Sequence, residues 1–223
     1  MINKQNYQQI IRDLEAYNGK LIAVSKTKPI EAIEALYKEG QKFFGENYVQ
    51  ELVEKQEQLP KDLEWHFIGH LQSKKAKLIA PFVSCIHSVD SWKLLKEIDK
   101  RAKQHNRIID CLLQFHIAEE STKFGLDLRE ALEILKNPDF KSLNHIRITG
   151  VMGMATFTND KIQVQREFKE LKAIFEKLKE IGFDEEQQSV FQEISMGMSG
   201  DYQLALKEGS TMVRVGSLLF GGR

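Results

Sequence analysis

Short apolar runs alternate with helix-like segments along the whole chain, and this alternation limits the possible fold more than any other feature of the sequence. Each run is followed by polar or glycine-containing turn residues and then by apolar positions spaced by three and four. The runs predict eight strands, at residues 21–25, 42–44, 64–68, 82–87, 108–116, 145–151, 189–194 and 211–215. Strands that alternate with helices in this way are typical of repeated βα units.

Several of the intervening helices have recognisable ends. A helix over residues 29–39 would begin with Pro29 at a first-turn position and stop at Gly40. Asp127 and Glu130 form a candidate capping box before another apolar segment. The clearest helix covers residues 160–180, where one apolar stripe consists of Val164, Phe168, Leu171, Phe175 and Leu178.

Eight βα units in 223 residues fit a compact α/β protein, a (β/α)8 or TIM barrel, for which about 250 residues is typical. An open doubly wound sheet is the alternative. No linker-like stretch divides the chain, so residues 1–223 are expected to form a single domain. An additional helix precedes the first strand and carries Tyr7, Ile10, Ile11 and Leu14. In such a barrel the chemistry lies at the carboxyl ends of the strands.

Charge and composition exclude several classes of partner. Lys and Arg number 32 and Asp and Glu number 32, so no whole-chain field attracts nucleic acid or an anionic membrane. No run approaches the roughly 18 apolar residues of a membrane helix, and the first residues lack the apolar core of a secretory signal. We therefore expect a cytoplasmic protein. Cys85 and Cys111 lie in apolar runs, where thiols in a reducing compartment are small core residues.

Lys26 follows the first predicted strand. Side chains alternate along a strand, so Ile22, Val24 and Lys26 point the same way. If these side chains point into the barrel interior, Lys26 lies at the mouth of the barrel and is partly desolvated. Desolvation frees the amine lone pair, which Schiff-base formation with an aldehyde or ketone requires. The alternative is an ordinary lysine in a surface loop.

Two loops rich in glycine and serine follow the last two predicted strands. Residues 195–201 come after strand seven, and Gly216 and Ser217 come after strand eight. Backbone N–H groups of such loops, together with serine hydroxyls, are suited to binding an anion. Both loops lie where barrels of this type hold phosphate, although either could be a tight turn before a helix.

Arg214 lies in the otherwise apolar eighth strand. Arg214 is two residues from Met212, so alternation along the strand puts both side chains on the interior face. There its guanidinium needs a carboxylate, a carbonyl or a ligand acceptor. A structural ion pair is the alternative to a ligand contact.

Polar residues also follow the second and third strands. Asn47 follows the second and is either a helix cap or a ligand contact. His66 and His70 are four residues apart, but Gly69 argues against the helix that a zinc pair at this spacing needs. We expect no metal site there. The sequence also lacks a nucleotide-binding glycine motif and a serine-nucleophile elbow.

Five segments together resemble the pyridoxal phosphate homeostasis protein family, and the resemblance spans nearly the whole chain. They are 23–29 (AVSKTKP), 44–51 (FGENYVQE), 65–69 (WHFIG), 195–199 (SMGMS) and 209–216 (GSTMVRVG). The resemblance implies a barrel of the alanine-racemase type that carries pyridoxal 5′-phosphate on a lysine. It also implies a role in cofactor homeostasis and delivery, without established catalytic turnover.

The resemblance assigns roles to residues already singled out. Lys26 would form the Schiff base, and Asn47 would lie close to the cofactor ring. Arg214 would face the pyridine nitrogen, and the phosphate would be held by Ser199, Gly216 and Ser217 with neighbouring amides. Three further lysines that match the family are candidates for transient cofactor contacts: Lys28, Lys74 and Lys123. His70 and His116 depart from the residues usual at their positions.

The family resemblance favours a cofactor carrier over an enzyme. Related racemases have an additional domain that completes the site, and the chain ends at Arg223, just past the eighth strand, so we expect no such domain. The expected partners are pyridoxal 5′-phosphate and apo forms of enzymes that use it, and the expected state is a monomer. A Schiff-base enzyme such as a small racemase or aldolase is the main alternative. A partner-binding scaffold is a third, which no sequence feature favours.

Overall fold

Eight parallel strands close into a barrel. A computed structural model describes residues 2–119 and 124–222. Each strand pairs with the next, and the eighth pairs with the first through Ile22 and Arg214, among others. This closure confirms the predicted barrel and excludes the open sheet. The strands β1 to β8 are Lys20–Val24, Phe43–Glu46, Glu64–Phe67, Cys85–Val89, Ile109–Phe115, Ile146–Gly153, Glu193–Ser195 and Met212–Val215.

Helices surround the barrel. Within the described residues, α1 to α10 are Lys4–Glu15, Ile30–Lys38, Val49–Gln58, Ala76–Ile79, Trp92–Gln104, Leu128–Leu135, Lys161–Ile181, Glu185–Val190, Tyr202–Lys207 and Ser217–Phe220. Short 3-10 helices cover Ser73–Lys75 and Pro138–Ser142. The helices between residues 2 and 119 and between 124 and 222 have no stretch long and apolar enough to cross a membrane.

The predicted helix ends are present with small shifts. The capping box at Asp127 and Glu130 forms in both directions at the start of α6. Pro29 stands at the N-cap of α2 rather than in its first turn. The additional helix α1 lies in the outer ring, where Asn3 donates its N–H to Leu219 O at 2.7 Å and Tyr202 Oη donates to Asp13 at 2.8 Å.

The prediction of strand seven at residues 189–194 was wrong at its start. Ser189 and Val190 end α8, and the strand is Glu193–Ser195. A capping box between Asp184 and Gln187 begins this helix, and its apolar end resembles the start of a strand. Strand four likewise begins at Cys85, because residues 82–84 belong to the connection after α4.

The core has two layers. The larger lies between the strands and the helices and includes Phe168, Leu171 and Phe175 from the predicted stripe of α7. A smaller cluster fills the barrel interior and consists of Ile22, Cys85, Leu112, Met152 and Met212, packed against Phe43 and Met154. Cys85 and Cys111 are free thiols and buried. Apolar residues therefore fill part of the interior, and the carboxyl ends of the strands are left for polar groups.

Candidate functional site

The strand ends place Lys26 at the mouth of the barrel. Ile22 belongs to the interior cluster. Alternation puts Val24 on the same side as Ile22, and Lys26 lies beyond the strand, half-buried in the turn that follows it. Val24 lies against the loop after β8, since a Cβ added to Gly216 would be 3.0 Å from Val24 O and 3.3 Å from Val24 Cβ. Gly216 thus brings the backbone after β8 close to the end of β1.

A tight turn carries Lys26. The N–H of Lys28 donates to Ser25 O at 3.0 Å, which closes the turn around Lys26 and Thr27. Thr27 has φ of 61°, a left-handed conformation that a β-branched residue rarely adopts. Its N–H donates to Glu51 Oε1 at 2.6 Å, and Ser25 Oγ donates to Glu46 Oε1 at 2.6 Å. Side chains from β2 and α3 therefore hold the turn on both sides of Lys26.

The two loops that follow β7 and β8 meet through Ser199 and Gly216. Ser199 Oγ accepts a hydrogen bond from the Gly216 N–H at 3.3 Å. Gly197, with φ of 91°, lies so close to α9 that an added Cβ would be 2.5 Å from Ala205 Cβ. Ser217 is exposed at the start of α10. Backbone N–H groups and hydroxyls are concentrated here, and such donors suit a dianion.

Asp201 also belongs to this region. Its Oδ1 accepts the Met198 N–H at 2.5 Å, so it shapes the loop from within. Burial raises the pKa of Asp201 above its ordinary value, against the opposing effects of the Met198 N–H and Arg214.

Arg214 is buried in the barrel, with 4% of its surface exposed. Its guanidinium donates to Ser195 O at 2.8 Å, Ser195 Oγ at 2.6 Å and Gly153 O at 3.0 Å. Its partners are therefore carbonyl and hydroxyl oxygens of β6 and β7 rather than the carboxylate of an ion pair. Burial lowers the pKa of Arg214 to about 10, so it remains a cation at neutral pH.

A chain of hydrogen bonds leads from Arg214 to two buried histidines. His87 Nδ1 lies 2.9 Å from Ser195 Oγ, and His87 Nε2 lies 2.8 Å from His66 Nδ1. Ser195 Oγ accepts from Arg214, because arginine only donates. A neutral histidine donates through one ring nitrogen and accepts through the other, so the tautomers of His87 and His66 are coupled through these contacts. If Ser195 donates to His87 Nδ1, His87 donates through Nε2 to His66 Nδ1.

Both histidines are neutral. Burial lowers the pKa of His66 to about 3 and that of His87 well below its ordinary value, with smaller contributions from neighbouring positive charges. His66, Cys85 and His87 bring potential metal-ligand atoms within 4.8 Å of one another. Burial raises the pKa of Cys85 well above its ordinary value, so its thiol is protonated. A metal would need the thiolate and would break the bond between the imidazoles.

The histidine pair considered in the sequence is separated by Gly69. His66 points into the barrel, whereas His70 is exposed, lies 3.4 Å from Asp90 Oδ2 and stacks on Phe124 with ring centres 4.4 Å apart. Gly69 has no room for a side chain, because a Cβ there would lie 2.3 Å from Asn47 O. The β2 and β3 loops are therefore tightly packed at the mouth.

Asn47 lies beside this contact and is half-buried. Its Oδ1 is buried and finds no hydrogen-bond partner within the described part of the chain. An unmet buried acceptor costs free energy, so this atom is suited to a ligand donor. Asn47 and the close approach of backbone at Gly216 both fit a bound cofactor between β1, β2 and β8.

The additional lysines differ in their surroundings. Lys28 Nζ lies 3.4 Å, 3.1 Å and 3.0 Å from the carbonyl oxygens of Phe220, Gly221 and Gly222, so its ammonium holds the segment after α10. Lys74 is exposed on the 3-10 helix Ser73–Lys75. Lys123 lies outside the described residues. His116 is half-buried and follows β5.

Sequence reasoning assigned no role to three buried polar residues, Glu46, Lys55 and His87. It placed Ser195 in the loop after strand seven, whereas Ser195 ends β7 and contacts Arg214 and His87. Lys55 was detectable, because it follows Val49 and Leu52 at intervals of three on the buried face of α3. The partners of His87 and Ser195 come from different strands, so no local pattern indicates them.

The chain is similar to known proteins along nearly its whole length. The sequence profile described as "Alanine racemase, N-terminal domain" matches residues 3–223. The pyridoxal phosphate homeostasis protein of Pasteurella multocida is 37% identical over 99% of this chain and 94% of its own length. PipY of Synechococcus elongatus, solved without the cofactor, is 36% identical with a TM-score of 0.89, covering 97% of this chain and 99% of PipY.

Two further structures bear on the site and the fold. PipY has also been solved with pyridoxal phosphate bound, and that structure is similar to this chain with a TM-score of 0.82 over 96% of this chain and 100% of PipY. An alanine racemase of Clostridium difficile is 17% identical with a TM-score of 0.71. It covers 100% of this chain, which matches 57% of the racemase, so this likeness concerns the fold alone.

Proposed function

The chain belongs to the pyridoxal phosphate homeostasis protein family, and on this premise we propose that it binds pyridoxal 5′-phosphate and acts in supplying that cofactor within the cell. The observation that carries the proposal is the place of Lys26. Its turn follows β1, and β1 pairs with β2 and β8, the strands that Asn47 and Gly216 follow. PipY, of the same fold and 36% identical, has been solved with the cofactor bound.

Lys26 is the residue proposed to hold the cofactor covalently. Its ε-amine would join the cofactor's aldehyde carbon as a Schiff base, with loss of one water. Lys28 Nζ contacts carbonyl oxygens after α10, so its ammonium has a structural role in holding that segment.

Donors on the opposite side of the mouth are proposed to hold the phosphate. They are the hydroxyls of Ser199 and Ser217 and the backbone N–H groups around Gly216. Arg214 is proposed to face the pyridine nitrogen. When bound, the cofactor supplies an electron sink that a protonated ring nitrogen strengthens. The guanidinium of Arg214 only donates, so it cannot accept a hydrogen bond from a protonated ring nitrogen. It is also a cation, and its charge disfavours protonation of that nitrogen.

Borohydride reduction followed by peptide mapping tests the attachment. Wild-type protein mixed with pyridoxal 5′-phosphate should show a visible absorption band, and reduction should leave the label on the peptide that contains Lys26. Lys26→Ala should lose band and label, whereas Lys28→Ala, the matched control in the same turn, should keep both. A label confined to Lys28, Lys74 or Lys123 would contradict the assignment.

The role is proposed to be that of a carrier rather than a catalyst. Arg214 weakens the electron sink, so bound amino acids should undergo little exchange of their α-proton. NMR of alanine incubated with the loaded protein in deuterium oxide measures this exchange. Rapid wild-type exchange would instead support an enzyme. The proposed recipients are apo forms of pyridoxal-phosphate enzymes in the cytoplasm, and restored activity of such an apoenzyme on mixing with loaded protein tests delivery.

A further inference from the structure

Three charged side chains form a buried cluster behind the turn that carries Lys26. Lys55 Nζ lies 2.7 Å from Glu46 Oε1 and 2.6 Å from Glu51 Oε1. The exposed fractions of the side chains are 6% for Lys55, 0% for Glu46 and 22% for Glu51. We call Glu46, Glu51 and Lys55 the Lys55 triad.

The triad contacts the residues on both sides of Lys26. Lys55 Nζ donates to Ser25 O at 2.7 Å, and Ser25 Oγ donates to Glu46 Oε1 at 2.6 Å. On the other side, the Thr27 N–H donates to Glu51 Oε1 at 2.6 Å. Three hydrogen bonds from the triad therefore meet the backbone or side chain next to Lys26.

Stability alone is a poor explanation for this cluster. A buried ion pair loses hydration and is often no more stabilising than apolar side chains of similar size. Glu46 Oε2 is buried and has no hydrogen-bond partner among the described residues, which adds to that cost. Burial also raises the pKa of Glu46, against the attraction of Lys55. The cluster is better explained by a structural role, in which its hydrogen bonds hold the turn of Lys26 in place.

The turn itself requires support. Thr27 adopts φ of 61°, which is unfavourable for a β-branched residue and persists only when surrounding contacts impose it. The bond from the Thr27 N–H to Glu51 imposes it directly. Glu51 and Lys55 are on α3, so the helix that follows β2 fixes a turn that follows β1.

We propose that the Lys55 triad positions the turn of Lys26 for covalent capture of the aldehyde, with Glu51 acting through the Thr27 N–H. The inference rests on the proposed function of Lys26. The triad residues are positioning residues, because they contact the turn and not the cofactor. Misplacing a reacting group by about 1 Å can slow a reaction by up to roughly a hundredfold.

Three variants of exposed or half-buried glutamates test the proposal. Glu51→Ala removes the acceptor of the Thr27 N–H, Glu51→Gln keeps an oxygen that can accept it, and Glu54→Ala is the control, an exposed glutamate on the same helix. Stopped-flow absorbance gives the rate of Schiff-base formation when pyridoxal 5′-phosphate is added to apoprotein. Amide hydrogen exchange at Thr27 and the thermal midpoint are measured on the same apoproteins.

Glu51→Ala is expected to slow capture at least tenfold and to speed exchange at Thr27, whereas Glu51→Gln restores most of the rate and Glu54→Ala matches wild type. Visible circular dichroism of the loaded protein should weaken in Glu51→Ala, because the bound chromophore is held less rigidly. Wild-type capture in Glu51→Ala would overturn the proposal. So would equal losses in Glu51→Ala and Glu51→Gln, since the Thr27 hydrogen bond would then not be the cause.

The test separates this inference from the proposed function. If wild-type protein is labelled elsewhere than on Lys26, the proposed function is wrong and the triad has no reacting group to position. If wild-type protein is labelled on Lys26 and the glutamate variants capture at the wild-type rate, only the role of the triad is wrong.

Discussion

The two sides of the barrel mouth are held by opposite electrostatic means. On the β1–β2 side, the turn of Lys26 rests on a cluster of full charges in Glu46, Glu51 and Lys55. On the β6–β8 side, the single cation Arg214 is held by neutral oxygens, and the chain continues through neutral imidazoles. Both sides are buried, with Glu46 and His87 at 0% exposure, but on the charged side Glu51 keeps 22% of its side chain exposed.

This contrast suggests a division of tasks. On the β1–β2 side, Glu51 keeps part of its hydration, which lowers the cost of holding the turn with charged groups. Deep in the barrel, a second charge next to Arg214 would be costly, so the polar groups there are neutral and directional. Both arrangements hold a residue that we propose to contact the cofactor, but they should respond differently to mutation and to pH.

Removal of Lys55 should have the largest effect on stability. Lys55→Met leaves Glu46 buried without its cation and Ser25 O without its donor. Loss of one partner of a buried ion pair costs about 3–5 kcal/mol, which urea unfolding of the apoprotein measures. Lys93→Met, at an exposed site on α5, should change stability by less than about 0.5 kcal/mol.

A double variant sharpens this result. Glu46→Gln combined with Lys55→Met removes both buried charges and should recover at least half of the loss. If Lys55→Met alone were as stable as wild type, the β1–β2 side would not depend on charge, and the comparison would fail.

Removal of Arg214 should cost somewhat less. Arg214→Met leaves Ser195 O, Ser195 Oγ and Gly153 O without their donor, and an unmet buried acceptor costs about 1–3 kcal/mol. The remaining groups are neutral and part of the cost is offset by removing a buried charge, so we expect a net loss of about 2–3 kcal/mol. Arg147→Met is the control, since this exposed arginine of β6 pairs with Asp110 and should contribute less than about 1 kcal/mol. Equal losses in both variants would contradict a special role of the buried guanidinium.

The response to pH should distinguish the two sides. The folded-state pKa of His66 is about 3, below the ordinary value of 6.5, so the unfolded chain binds the extra proton between these pH values. Stability is therefore fully present above pH 6.5 and falls as the pH drops toward 3, by up to about 1.4 kcal/mol per pH unit for each such histidine. Glu46 acts in the opposite sense. Its pKa is raised in the folded protein, so its contribution is lost as the pH rises through the folded-state value.

Unfolding measured from pH 7 to pH 5 tests the histidine side. His66→Asn keeps an acceptor near the position of Nδ1 and removes the titrating ring, so the decline in stability should become shallower. Glu46→Gln should leave that decline in place or make it steeper, because it removes the opposing contribution. An unchanged pH profile in His66→Asn would show that His66 is not the buried neutral group on which the comparison rests.

The sequence predicts the mouth of the barrel better than the contacts behind it. The inward side chain of Arg214 follows from alternation along β8, and the barrel places the carboxyl ends of the strands together, so both features could be predicted. The start of strand seven could not, because Val190 is apolar yet ends the capped helix α8. The local pattern of apolar and polar residues predicts which face of a helix or strand is buried. It does not distinguish an apolar residue at the end of a helix from the start of a strand.

The supporting contacts depend on residues that are distant in the sequence. His87 and Ser195 are 108 positions apart but 2.9 Å apart in the barrel, and nothing near either residue indicates the other. Lys55 is an intermediate case. Its place on the buried stripe of α3 is visible, but its partner Glu46 becomes apparent only when β2 and α3 are packed together.

The smallest expected change in stability concerns Ser199, yet it tests the β6–β8 side most specifically. Ser199→Ala removes the acceptor of the Gly216 N–H at 3.3 Å, which should lower apoprotein stability by about 0.5–1 kcal/mol.

The affinity of Ser199→Ala for pyridoxal 5′-phosphate should show a larger and selective effect. The hydroxyl is proposed to donate to the phosphate, and a hydrogen bond to a charged group contributes about 1.5–3 kcal/mol, or at least tenfold in affinity. Pyridoxal lacks the phosphate, so its binding should be unchanged in Ser199→Ala. Lys74→Ala is the control. It should leave the binding of both compounds nearly unaltered, because Lys74 is an exposed point charge. Equilibrium titration of the three proteins with both compounds measures these differences. Equal weakening of pyridoxal and pyridoxal 5′-phosphate would place Ser199 away from the phosphate and leave Gly216 and Ser217 as the donors on that side.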